Sequence, residues 1–142
     1  MIAYLDTSAL VKLFVHEPGT EEALRLWDAA TLRTTAILAY AECRAALAAA
    51  VRAHRLTAPG LRTARRLLND HWDELAHIGV GERMVRAAGE LAESQALRGY
   101  DAIHLAAAVA AGEGGTLVFV TWDRVLADAA ARVGLPVAPL WA

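Results

Sequence analysis

The chain has 142 residues, 56% hydrophobic and 21% charged, and its 14 basic and 16 acidic residues leave a formal net charge of −2. That size allows one domain with a full core, and the composition excludes disorder, while no uninterrupted apolar stretch approaches the ~20 residues of a membrane span. The near-neutral balance excludes polyanion binding through net charge alone, and the single cysteine, Cys43, excludes an intrachain disulfide and a thiolate zinc site.

Ile2 to Leu5 reads as a short buried strand, opened without the basic segment and small-residue cleavage site of a secretion signal, so a cytoplasmic location is expected. Thr7 or Ser8 is expected to cap a helix over 9–15, which places Asp6 at a strand-to-helix junction and leaves its carboxylate free to face a crevice. His16-Glu-Pro-Gly breaks that helix, and a second is predicted over 20–30, with Glu21 and Glu22 suited to its first turn. A strand over 32–35 precedes a long alanine-rich helix, 36–54, interrupted by Glu42. Thr57-Ala-Pro-Gly separates it from a helix over 61–75. A weak strand, 76–80, leads to a helix over 82–95. Arg98-Gly-Tyr-Asp101 forms a turn feeding a helix that runs to Ala111. Leu117 to Thr121 is a strand, 123–133 a last helix, and Pro136-Val-Ala-Pro139 an irregular end.

Short strands alternating with helices predict an α/β fold with a mainly parallel sheet covered on both faces, whose functional residues stand at the carboxyl ends of the strands. Asp6 and Asp123 lie at such ends, Asp101 opens a helix, and Glu42 can reach the same rim. Any one of these acids is explained by capping or solvent exposure. Four converging acids repel one another and require a cation, and oxygen ligands without nitrogen or sulfur suit Mg²⁺ or Mn²⁺. Such a site favours hydrolysis of phosphodiesters. Separately, from Arg44 to Arg66 there is no acid, while Arg44, Arg52, Arg55, Arg62, Arg65 and Arg66 are present: either a phosphate-facing patch or a solvated helical face.

Tyr4-Leu-Asp-Thr-Ser-Ala-Leu10, Ala41-Glu42, Arg98-Gly-Tyr-Asp-Ala-Ile-His-Leu-Ala-Ala107 and Val120-Thr-Trp-Asp-Arg124 resemble, in order and spacing, the motifs of PIN-domain ribonucleases of the VapC toxin type. The resemblance implies a single PIN domain over 1–142, a three-layer α/β/α sandwich with about seven helices. It implies one or two Mg²⁺ or Mn²⁺ ions on Asp6, Glu42, Asp101 and Asp123, with Thr7, Ser8 and Thr121 beside them. It also implies cleavage of tRNA or ribosomal RNA, a VapB-type antitoxin as partner, and a homodimer. Arg62, Arg65 and Arg66 are candidates for RNA contact.

His104, three residues past Asp101, invites a general-base role, but in an Ala/Ile/Leu helix it reads better as a hydrogen-bonded interior residue. An aspartyl phosphatase is disfavoured because Ser8 stands where a second acid is needed and no lysine follows Lys12. The remaining rival is a non-catalytic module binding RNA or protein through the basic 44–66 stretch, its acids serving only as caps.

Overall fold

The computed structural model describes residues 1–113 and 115–140. Five strands form one sheet: β1 (Ile2–Leu5), β2 (Leu32–Ala36), β3 (Ala76–Ile78), β4 (Leu117–Val120) and β5 (Val137–Ala138). Their order is β3-β2-β1-β4-β5, and every pairing is parallel. The central strand is therefore β1, flanked in register by β2 (Ile2 opposite Leu32) and β4 (Leu5 opposite Val120). A strand hydrogen-bonded on both edges and covered on both faces must be apolar throughout, which is what Ile-Ala-Tyr-Leu supplies.

Seven helices are found among the described residues: α1 (Thr7–Phe14), α2 (Thr20–Ala29), α3 (Ala39–Arg52), α4 (Ala58–Trp72), α5 (Glu82–Gln95), α6 (Gly99–Ala111) and α7 (Arg124–Arg132). Side-chain alternation along the strands divides them into two layers. Ala3, Leu5 and Val120 point into one core with Leu10, Phe14, Trp27, Cys43, Leu47 and Leu68, drawn from α1 to α4. Tyr4 and Phe119 point the other way, stacked with ring centroids 5.3 Å apart, into a core with Leu105, Leu126 and the alanines of α6 and α7. Alanine suits α6 because it is enclosed on most sides, from Ala102 to Ala108, and close packing leaves little room for longer side chains. The architecture is the three-layer α/β/α sandwich with a parallel central sheet.

Several boundaries depart from the sequence reading. The third helix starts at Ala39 rather than at 36, because Ala36 belongs to β2 and the Ile37 amide donates to the Ile78 carbonyl. Glu42 is thus a first-turn residue, not an interruption. The 57–60 segment is the first turn of α4 rather than a separator: Thr57 accepts from the Gly60 amide at 3.0 Å, and Pro59 falls where no amide donor is needed. The unexpected strand is β5, between two prolines. It occupies a sheet edge, where Phe119 and Thr121 amides donate to the carbonyls of Pro136 and Ala138, so a missing proline donor costs nothing. No helix among the described residues is long and apolar enough to cross a membrane.

Candidate active site

The four acids come from four different elements and line one cleft of about 520 Å³ at the carboxyl ends of the strands. Asp6 follows β1, Glu42 stands in the first turn of α3, Asp101 in the first turn of α6, and Asp123 precedes α7 after β4. Parallel order makes this possible, since β1 and β4 are neighbours whose chains emerge on the same rim. Lys12, Arg55, Arg98, His104 and Trp122 share the walls.

Asp6 is the most enclosed, 4% exposed. Its Oδ1 accepts from the Ala9 amide at 3.0 Å and the Ser8 hydroxyl at 2.7 Å, and its Oδ2 accepts from the Thr121 hydroxyl at 2.6 Å. The helix cap is therefore Asp6 itself, not Thr7 or Ser8, whose hydroxyls serve the carboxylates instead. Burial raises the Asp6 pKa above the ordinary carboxylate range, and the His104 ring, the two hydroxyls and the Ala9 amide pull it partly back. Ser8 also accepts from the Trp122 amide at 2.9 Å, and Thr121 accepts from the Asp123 amide at 3.0 Å, tying β4 to α1 across the site. Asp123 caps α7, accepting from the Leu126 amide at 3.1 Å.

Glu42 is held from below. His104, buried in α6, places Nε2 2.7 Å from Glu42 Oε1, and the Thr7 hydroxyl donates to the same oxygen at 2.9 Å. On the other side of the ring, Nδ1 lies 2.7 Å from the Tyr4 hydroxyl, which accepts from the Ala36 amide at 3.2 Å. An ionised carboxylate only accepts, so the bond to Glu42 places a ring hydrogen on Nε2. A hydrogen-bonded line thus runs from the backbone of β2 to a carboxylate of the cleft. His104 is an interior residue in this arrangement, as its apolar helix suggests.

Asp101 and Asp123 are joined by a residue that the sequence placed in a turn and at the head of a motif but not as a partner of either acid. Arg98 Nε donates to Asp101 Oδ2 at 3.1 Å, and its Nη2 lies 3.9 Å from Asp123 Oδ2. The expectation that only a shared ion relieves the acid crowding is corrected here, since hydroxyls, amides, His104 and Arg98 relieve part of it. Among the described residues no three His, Cys, Asp or Glu side chains are placed to enclose an ion. The donor set on the cleft, four carboxylates with adjoining hydroxyls and no thiolate, nevertheless suits a hard divalent cation.

Arg62, Arg65 and Arg66 stand on α4 and do not line the cleft; Arg55, from the same acid-free stretch, does. Lys12, also at the cleft, is clasped by Glu17 Oε1 at 3.0 Å and the Pro18 carbonyl at 2.8 Å, under the Trp122 ring. Gly19 makes that clasp possible: its φ of +98° favours glycine, and a Cβ there would meet Trp122 Nε1 at 2.7 Å.

Residues 3–132 match the PIN domain. The chain belongs to the PIN-domain family. Within the PIN fold its sequence is 44% identical over 138 residues to Ribonuclease VapC45 of Mycobacterium tuberculosis, covering 97% of this chain and 95% of that protein. Among solved structures, Mycobacterium tuberculosis VapC20, described as a sarcin-ricin loop cleaving toxin, superposes with a TM-score of 0.66 at 16% identity, covering 94% of this chain and 95% of that one. A toxin–antitoxin complex from Klebsiella pneumoniae gives 0.65 at 19%, with 96% of each chain covered. This PIN domain carries all four acids expected from its motifs on one rim, with Arg98 the residue that motif spacing did not single out as a partner.

Two variants test the polar framework. Tyr4→Phe removes the hydrogen-bond partner of His104 Nδ1 and the acceptor for Ala36 in a dry interior, and is expected to cost about 1–3 kcal/mol in urea unfolding. Asp6→Asn removes a carboxylate whose folded pKa is raised, so its favourable contribution exists at low pH and disappears as ionisation proceeds. In EDTA the melting temperature of wild type should fall relative to Asp6→Asn as pH climbs from about 4 through the raised folded value; a constant difference across that range contradicts the burial account.

Proposed function

We propose that the protein is a Mg²⁺- or Mn²⁺-dependent endoribonuclease of the VapC kind, cleaving tRNA or ribosomal RNA as the toxin of a toxin–antitoxin pair. The observation that carries this reading is the convergence of Asp6, Glu42, Asp101 and Asp123 on one cleft. Full-length similarity to a protein named a ribonuclease supports the activity, and the likeness to a toxin–antitoxin complex supports a VapB-type antitoxin as partner. The reading extends to a homodimer acting in the cytoplasm and to residues 1–142 as one domain.

The four acids would hold one or two ions. A bound divalent ion supplies a lowered pKa for water and offsets charge as phosphate is attacked. The chain's own residues orient the carboxylates: Ser8 and Thr121 fix Asp6, Thr7 and His104 fix Glu42, and Arg98 spans Asp101 and Asp123. Arg55 on the wall attracts the phosphate backbone, and Arg62, Arg65 and Arg66 extend the basic track outside the cleft.

One observation favours the rival binding module, for Asp6 and Asp123 do cap their helices. Asn or Ser caps about as well without burying a charge, so capping leaves the carboxylate at Asp6 unexplained.

Purified protein incubated with total RNA, with Mg²⁺ or Mn²⁺ and with EDTA, followed by mapping of the cut ends, tests the activity and identifies the substrate together. Asp6→Asn and Asp101→Asn are each expected to reduce metal-dependent cleavage to background while remaining folded; undiminished cutting by either variant removes the acids from the mechanism. Replacing Arg62, Arg65 and Arg66 by Ala should weaken RNA binding and lower the slope of log K against log salt by about two. An unchanged slope takes those three arginines out of the RNA track.

A further inference from the structure

We propose that a second depression, lined by Glu42, Arg98, Gly99, Tyr100, Asp101 and Ile103, is a nucleobase subsite in which Tyr100 stacks on a base adjoining the scissile phosphate of a single-stranded RNA. The inference rests on the nuclease reading above and adds where the substrate is gripped. Glu42, Arg98 and Asp101 belong to the walls of both depressions, so the second hollow adjoins the cleft along two of the four acids. A chain whose phosphate lies at these shared acids has the second hollow within reach of a neighbouring nucleotide.

The two hollows differ in chemistry. The first carries Arg55, suited to phosphate oxygens. The second, about 490 Å³, falls within the roughly 300–1,000 Å³ of small-molecule sites, and offers an aromatic ring, an aliphatic side chain and a guanidinium. Its acidic wall disfavours phosphate but not an uncharged base.

Tyr100 is also out of keeping with the other aromatic residues. Tyr4, Phe14, Trp27, Tyr40, Trp72, Phe119 and Trp122 each meet a ring or a cation within the protein. Among the described residues Tyr100 is the aromatic side chain with neither a ring nor a hydrogen-bond partner, and it is 67% exposed beside Asp101. Arg98, 84% exposed at its side chain, stands at the same wall. An unpartnered aromatic face next to a guanidinium is the arrangement on which single-stranded bases stack, because every base has a π-face and needs no specific hydrogen bond.

The RNA segment around the mapped cut site, synthesised with 2-aminopurine on either side of the scissile bond, provides the probe. With wild type, 2-aminopurine fluorescence should be quenched on one side. In Tyr100→Ala the quenching should vanish and KM rise about fivefold to a hundredfold, with kcat changed far less; Tyr100→Phe and Tyr100→Trp should restore both. An abasic nucleotide at the quenched position should make wild type and Tyr100→Ala equal. Unchanged KM and quenching in Tyr100→Ala overturn the subsite while wild-type cutting upholds the nuclease, and loss of binding to a protein partner without any change toward RNA overturns it too. Absence of cutting by wild type overturns both readings.

Discussion

A carboxylate enclosed at the end of the central strand is the constraint around which this molecule is arranged. Asp6 sits where β1 leaves the sheet, and its burial is tolerable only because donors surround it: the amide that opens α1, the Ser8 hydroxyl behind it and the Thr121 hydroxyl from the adjacent strand. Each donor fixes an element. Thr121 in turn accepts from Asp123, which starts α7, so a second acid inherits its position from the first. The strand order with β1 and β4 side by side is what lets residues remote in the chain meet there.

Glu42 and Asp101 are set by different means. Glu42 is approached through the second core, by the line from β2 through Tyr4 and His104, so a site residue on one layer is oriented by side chains buried in the other. Asp101 is approached from outside, by an exposed arginine three residues earlier. The outcome is graded: an interior acid with every oxygen engaged, and outer acids whose partner can swing away into solvent. The Arg98 contacts at the outer pair are the easier to break, since an exposed ion pair contributes little to stability.

Much of this was legible beforehand, and the gaps have physical causes. β1 and β4 stood out because buried parallel strands are continuous apolar runs bounded by turn residues, whereas β2, Leu-Arg-Thr-Thr-Ala, is polar at three of its five positions and gave a weaker signal. β5 did not, since two residues between prolines form a strand only when a sheet edge is offered to them. The four acids were recognisable as out of place among apolar neighbours, and their motifs carried the family. Their partners were not, because the pairing of His104 with Glu42 spans 62 positions and depends on how α6 meets α3. Arg98 had a local signal, an arginine three residues before an acid at a helix start, which was available and unused. In the acid-free stretch, composition alone could not tell Arg55, which reaches the cleft from beyond the end of α3, from Arg62, Arg65 and Arg66 on α4.

Cys43 lies fully enclosed in α3, and burial together with the neighbouring Glu42 and Asp6 charges pushes its thiol far above the ordinary range. The chain's single cysteine is thus inert toward maleimides while the protein is folded. A cysteine engineered at an exposed position would be labelled alone, with no background to remove, so distances and motions around the cleft are open to spectroscopy in a natural sequence altered at only the chosen points.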